Sequence, residues 1–192
     1  MNKINLSFIY VAGIIFVIIL SRLFSNIFEI WNFTPLAAIA LFGAAHFRNK
    51  YFMFLTPMLA VYLSDLCINY FIYNKGFIWF YDGFLWQYSV YLLIIISGIF
   101  LFKNKININK VILGSLASSL IFYVISNFGV WFLSSMYAKD VSGFISCYVA
   151  AIPFYKWTML GDMFYSMILF GGFYLLQNKF SVFKLNYIKY EK

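Results

Sequence analysis

Long apolar runs separated by short polar segments dominate the chain. Several runs reach about 18 residues or more, enough for a helix to cross the roughly 30 Å hydrocarbon core of a bilayer. The pattern predicts helices near 5–22, 35–48, 51–72, 85–102, 111–133 and 157–177, followed by a basic tail over 178–192. The whole chain, 1–192, is therefore expected to be a single all-α transmembrane domain with six spans.

The second run is short and rich in small residues. It opens with Thr34-Pro35, which is typical of a helix start because proline needs no hydrogen-bond partner there and threonine can act as the N-cap. Residues 35–47 would extend about 20 Å, so this helix should be enclosed by longer ones or begin below the membrane surface. Small residues let neighbouring helices approach closely, and one face carries Ala37, Ala40 and Ala44.

Two prolines fall in or beside the predicted helices. Pro57 lies inside the third run and should kink it, with Thr56 or a neighbouring helix satisfying the carbonyl that the proline frees. Residues 134–156 form a long outer connection between the fifth and sixth helices. Within it, 141–152 is predicted to be a short helix that lies in or re-enters the membrane and stops at Pro153.

Composition excludes a soluble domain. Of the 192 residues, 64% are hydrophobic and only 10% are charged, and a soluble chain of this length cannot bury so much apolar surface. The net charge of +8 does not indicate nucleic-acid binding, because the basic residues lie mostly in short loops and the tail, where they set topology.

Lysine and arginine are distributed unevenly when six spans are assumed. Ten of the 14 fall on the side of the termini, and the other side has Arg22, Lys75, Lys139 and Lys156. The positive-inside rule then places both termini in the cytoplasm. All five tryptophans fall on the outer side, either as an aromatic belt or as aromatic loops over an outward-facing pocket.

Two carboxylates lie within the predicted spans. A charged group at membrane depth costs at least a few kcal/mol and is a functional-site hypothesis by default. Asp65 is expected about 21 Å from the cytoplasmic end of its helix, and Asp162 about 7–8 Å from the outer end of its helix. Both would then lie in the outer third of the membrane.

Other polar side chains are expected at the same level. They are Asn69, Asn127, Trp131 and Thr158, with Asn32 and Thr34 at the outer entrance. Polar groups in lipid must be paired or hydrated, so one interpretation is a cavity open to the outside that binds a small-molecule substrate. The other is that Asp65 and Asp162 form interhelical bonds, with Arg22 or Lys156 as partners, that only stabilise the bundle.

Motifs for catalysis or for metal and cofactor binding are absent from the sequence. No His-rich metal set, Ser/His/Asp order or nucleotide-binding loop occurs, so we expect neither an enzyme nor a bound cofactor or metal. Cys67 and Cys147 have no metal-site spacing. They would form one disulfide only if both faced an oxidising side.

Five segments resemble a bacterial family of multi-pass membrane proteins described as transport proteins. They are Asn-Phe-Thr-Pro-Leu-Ala-Ala-Ile-Ala-Leu-Phe-Gly-Ala (32–44), Leu-Ser-Asp-Leu (63–66), Ser-Asn-Phe-Gly-Val-Trp (126–131), Cys-Tyr-Val-Ala-Ala-Ile-Pro-Phe (147–154) and Leu-Gly-Asp-Met-Phe-Tyr (160–165). That family is similar to the S components of energy-coupling-factor (ECF) transporters. The resemblance implies six helices, cytoplasmic termini, a vitamin-like ligand bound near the outer face, and a partner transmembrane and ATPase module.

One departure from S components concerns docking to that module. S components often carry an Ala-x-x-x-Ala patch on helix 1, where this chain has only Ala12 and Gly13, and its nearest such spacing is Ala40 to Ala44. The leading hypothesis is an ECF-type uptake protein for a small solute. The alternatives are a self-sufficient carrier, coupled to protons through a buried carboxylate, and a membrane scaffold that transports nothing.

Overall fold

The described part of the chain is helical, as predicted. The computed structural model describes residues 3–47 and 49–179, and no strand occurs within them. The elements are α1 (Lys3–Ile27), α2 (Leu36–His46), α3 (Lys50–Phe71), α4 (Phe84–Phe102), α5 (Ile108–Leu133), α6 (Val141–Ser166), a π-helical turn (Met167–Gly171) and α7 (Gly172–Lys179). Beyond its first two residues, the predicted basic tail lies outside the described ranges.

Among the described residues, three helices are long and apolar enough to cross a membrane. They are α3, α4 and α5. The α1 segment Gly13–Ile27 and α2 are also apolar but are shorter. The membrane character that the composition predicts is therefore supported by the helices themselves.

α2 is the central helix of the bundle. Eight of its 11 residues are buried, and it contacts α3, α4, α5 and α6. Ala37 and Ala40 are buried, and a Cβ added to Gly98 of α4 would stand 2.8 Å from the Cβ of Ala44. The alanine face is thus filled by neighbouring helices of the same chain. At about 16 Å long, α2 covers only about half of a bilayer core.

The start of α2 differs from the prediction. The helix begins at Leu36, its N-cap is Pro35, and no side chain caps it. Thr34 is one residue too early to take the N-cap position. The preceding loop turns sharply because Glu29 and Asn32 have φ angles of 56° and 68°, a left-handed conformation that asparagine tolerates better than most residues.

The prediction of a short helix that ends at Pro153 is wrong. α6 runs without a break from Val141 to Ser166 through Pro153. Interactions with α5 hold the helix just before the proline, since Tyr123 donates a hydrogen bond to the Tyr148 carbonyl and Tyr148 donates to the Val124 carbonyl, both at 2.7 Å. Packing on a neighbouring helix compensates for the hydrogen bond that proline removes.

Pro57 does lie inside α3, as predicted. The hydrogen bond expected from Thr56 to the carbonyl that the proline frees is not formed, because the Thr56 hydroxyl is buried without a hydrogen-bond partner.

The disulfide that the sequence left open is also not formed, since Cys67 and Cys147 are both free.

An aromatic cluster closes the bundle at the far end of α2. The Phe42 ring lies 4.3 Å from the His46 ring and 5.4 Å from the rings of Phe170 and Phe173. Phe102 of α4 joins the cluster through Phe170, with ring centroids 5.5 Å apart. The polar groups of the bundle consequently concentrate at the other end of α2, where the chain enters this helix.

Candidate functional site

Two adjoining cavities lie around the start of α2. The lower cavity, of about 60 Å³, is lined by Arg22, Asn32, Thr34, Leu36, Ala37, Gln87, Tyr91, Phe122, Thr158 and Asp162. The upper cavity, of about 90 Å³, is lined by Asn32, Phe122, Tyr123, Ser126, Asn127, Ala151, Phe154, Tyr155 and Thr158. Asn32, Phe122 and Thr158 line both cavities, so the two adjoin within one polar region.

Five of the eight predicted site residues line this region. They are Asn32, Thr34, Asn127, Thr158 and Asp162. Asp65, Asn69 and Trp131 line neither cavity. Asn69 lies near the end of α3, where its carbonyl accepts a hydrogen bond from the Lys75 amide at 3.0 Å. The Trp131 indole donates to the Ala138 carbonyl at 2.9 Å, in the turn between α5 and α6.

Asp65 forms an ion pair with Arg22. Their closest atoms are 2.6 Å apart, and each side chain is only 15% exposed. Arg22 also donates to the Ser64 hydroxyl and to the Val61 carbonyl. Of the alternatives left by the sequence, the interhelical bond is therefore the one formed at Asp65, and it holds Arg22 at the wall of the lower cavity.

Tyr81 stabilises the same pair from the loop between α3 and α4. Its hydroxyl donates to Oδ2 of Asp65 at 3.2 Å. Burial, and then the charge of the Asp65 carboxylate, raise the pKa of the Tyr81 hydroxyl. The tyrosine therefore remains protonated and continues to donate this hydrogen bond.

Asp162 has different surroundings from Asp65. Its side chain faces the lower cavity although the residue is only 3% exposed. Oδ2 lies 2.7 Å from the Ser119 hydroxyl, and no residue of the described ranges forms an ion pair with it. It lies 21 residues, about 32 Å, after the start of its helix rather than the predicted 7–8 Å, because α6 begins at Val141 and not at 157.

Asn127 and Thr158 satisfy their donors within their own helices. The Asn127 amide donates to the Tyr123 carbonyl at 2.7 Å, and the Thr158 hydroxyl donates to the Phe154 carbonyl at 3.1 Å. The amide oxygen of Asn127 and the hydroxyl oxygen of Thr158 retain acceptor capacity. Both residues line the upper cavity, so they can accept hydrogen bonds from water or from a ligand there.

The loop before α2 is fitted closely against α6. A Cβ added to Gly161 would lie 3.1 Å from both the Phe33 Cα and the Thr34 amide nitrogen. The Phe33 ring also packs on Tyr165, with centroids 5.4 Å apart. Any larger residue would push the backbone of this loop back by a few tenths of an ångström, so Gly161 helps to position Thr34 at the cavity.

Three polar residues of the lower cavity, Arg22, Gln87 and Tyr91, did not enter the predicted set. Arg22 was placed at the end of the first helix, but α1 continues to Ile27, so the charge lies inside the helix opposite Asp65. Gln87 and Tyr91 come from α4, where Gln87 donates to the Tyr91 hydroxyl at 3.3 Å. A glutamine is unusual in an apolar run, and this feature of the sequence could have identified α4 as a contributor to the cavity.

Within 3–47 and 49–179, no group of three or more His, Cys, Asp or Glu residues could hold a metal ion. No curated protein and no solved structure matches the chain. A family of unknown function, DUF6580, matches residues 2–184, which is nearly the whole of the 192 residues. The chain therefore belongs to the DUF6580 family.

Proposed function

We propose that this protein binds a small polar solute from the outer side of the bacterial cytoplasmic membrane and takes part in its uptake. The supporting observation is that five polar residues chosen from three distant parts of the sequence line these two adjoining cavities. A bundle stabilised only by scattered interhelical bonds has no need to gather these groups around empty space.

In this proposal α1 to α6 are the six spans, and both termini are cytoplasmic. The excess of lysine and arginine on the side of the termini supports this orientation. α2 then begins near the middle of the membrane and runs inward, because it covers only about half of the core. The loop over 28–35 descends to its start, and the cavities above it face outward.

The size and lining of the cavities limit the solute. Volumes of about 90 and 60 Å³ are below the 300–1,000 Å³ or so of typical small-molecule pockets. A vitamin-sized ligand would require movement of the loop over 28–35, whereas a smaller solute fits with little change. Arg22 contributes N–H donors and Asp162 contributes carboxyl oxygens to the lining, so a small solute with both donors and acceptors matches it best.

The route of energy coupling has two candidates. Resemblance to S components favours docking to a transmembrane and ATPase module, although Ala40 and Ala44 are occupied by packing within the chain. Asp162 is buried without an ion pair in the described ranges, which favours a self-sufficient carrier coupled to a cation. The scaffold hypothesis is weaker, because it requires an exposed seam of small residues and no enclosed outer cavity.

Mass spectrometry of small molecules that co-purify with the protein tests the proposal. We expect one solute to be enriched with the wild-type protein and with Asp82→Asn, which changes an exposed carboxylate of the α3–α4 loop. Asp162→Asn should lose it while remaining folded in the membrane. Equal solute content in all three proteins would contradict a site at these cavities.

Uptake assays then separate the two coupling routes. Cells that lack every ECF-type ATPase should lose accumulation of the identified solute if the protein is a substrate-binding component. Accumulation that persists in those cells identifies a self-sufficient carrier.

A further inference from the structure

A line of buried hydroxyl groups continues inward from the lower cavity along the interface of α5 and α6. These helices are antiparallel, and Ser119 meets Asp162 across them at 2.7 Å. One turn deeper on the same faces are Ser115, four residues earlier on α5, and Ser166, four residues later on α6. Antiparallel register places these two residues opposite each other, one helical turn from the contact between Ser119 and Asp162.

The deeper hydroxyls lack partners. Ser115 and Ser166 are each only 1% exposed, and neither Oγ has a hydrogen-bond partner. A buried polar atom without a partner is costly in an apolar surrounding. Two such atoms one turn beyond a buried carboxyl group therefore point to a bound species at this level.

The charge of the site indicates what that species is. An isolated carboxylate in the membrane must be protonated or paired with a cation, and Asp162 has no ion pair among the described residues. Arg22 lines the same cavity, but its charge is already neutralised by Asp65. A single positive charge neutralises the site, whereas a divalent cation would leave an excess charge in the bundle.

We propose that this seam, made of Ser115, Ser119, Asp162 and Ser166, binds a sodium ion. Carboxylate and hydroxyl oxygens are hard ligands that suit alkali and alkaline-earth cations. The lower cavity provides the route of entry and water to complete the shell. The π-helical turn begins at the residue after Ser166, and such turns are frequent at functional sites. This binding does not depend on the proposed uptake function.

Thermal unfolding of the purified full chain in detergent tests the site without any solute. At constant pH and ionic strength, sodium chloride replaces choline chloride stepwise. The wild-type unfolding temperature should rise with sodium and saturate, because a ligand that binds only the folded state stabilises it. Ser166→Ala and Ser115→Ala should need at least about tenfold more sodium for the same rise, and Asp162→Asn should show none.

Thr56→Val is the matched control, since it removes a buried, unpartnered hydroxyl of α3 that lies outside the seam. It should keep the wild-type sodium response even if its unfolding temperature is lower. An unchanged unfolding temperature in sodium and choline would overturn the proposal, as would an equal rise with potassium chloride. If Asp162→Asn does not fold, Ser166→Ala decides: a response as strong as that of Thr56→Val also overturns the site.

Discussion

At the scale of single residues, the two carboxylates of the helical bundle, Asp65 and Asp162, have different surroundings. Asp65 is tied to Arg22, Ser64 supports the same guanidinium group, and Tyr81 donates to the carboxylate. Asp162 faces a cavity with one hydrogen bond and no ion pair within the described ranges. We therefore expect substitutions of Asp65 to affect stability first and those of Asp162 to affect binding first.

Asp65→Asn should lower the free energy of unfolding by roughly 3 kcal/mol, because breaking a buried pair leaves Arg22 with an uncompensated charge. The double variant Arg22→Met with Asp65→Leu should recover most of this loss, since it removes both charges. Denaturation of the purified proteins in detergent measures the difference. Equal losses in the single and double variants would show that the pair does not determine stability.

Sequence patterns identified the polar residues more readily than their partners. Asp162, Thr158 and Asn127 stood out because polar groups are rare in apolar runs. The Arg22 pair could only be offered as an alternative, because it depends on where α1 ends. The distance of Asp162 from the start of its helix was underestimated, because the pattern predicts a start at 157 whereas α6 begins at Val141.

At the scale of elements, the short α2 and the loop before it create the site. α2 is long enough to cover only about half of a bilayer core, and the loop over 28–35 fills part of the space beyond its first residue. Its position depends on the close approach of Gly161 to the Phe33 and Thr34 backbone. The geometry of the cavity therefore depends on a glycine that contributes no polar group.

Gly161→Ala should displace the loop and weaken binding of the co-purifying solute by about tenfold or more. The added methyl group would contact backbone atoms, which cannot rotate away as a flexible side chain can. Gly13→Ala in α1 is the control, because nothing lies within 4 Å of its added Cβ. Solute affinities of the two variants provide the comparison, and equal affinities would mean that the loop position is unimportant.

The pattern predicted the fourth helix well and the sixth poorly. Residues 85–102 form an apolar run between Gly83 and Lys103, and α4 spans Phe84–Phe102. Pro153 and Lys156 are both typical of helix ends or loops, so the pattern predicted a break there. Hydrogen bonds between α5 and α6, which link residues distant in sequence, preserve the helix, and local patterns do not contain that information.

Pro153→Ala tests this continuity. In an unbroken helix, alanine restores a backbone hydrogen bond and is favoured over proline by up to about 3 kcal/mol. We expect a higher unfolding temperature in detergent, with solute binding retained. A lower unfolding temperature would instead favour a helix that stops at the proline.

At the scale of the whole molecule, the orientation of the bundle determines what the cavities can do. Single cysteines at Lys75 and Lys105, introduced after Cys67 and Cys147 are replaced by serine, should report opposite sides of the membrane. Lys75→Cys should react with an impermeant thiol reagent in intact cells, and Lys105→Cys only after permeabilisation. Reaction of both cysteines from the same side would contradict a single crossing of the membrane by α4, which joins these two loops.

The central claim is that the cavities above α2 open to the outer side of the membrane. The most direct measurement is modification of Thr34→Cys, in the same cysteine-free background, by an impermeant thiol reagent added to intact cells. We expect reaction from outside, slower when the co-purifying solute is present, with no reaction at buried Ala40→Cys. Reaction of Thr34→Cys only in inside-out vesicles, while Lys75→Cys still reacts in intact cells, would contradict the claim.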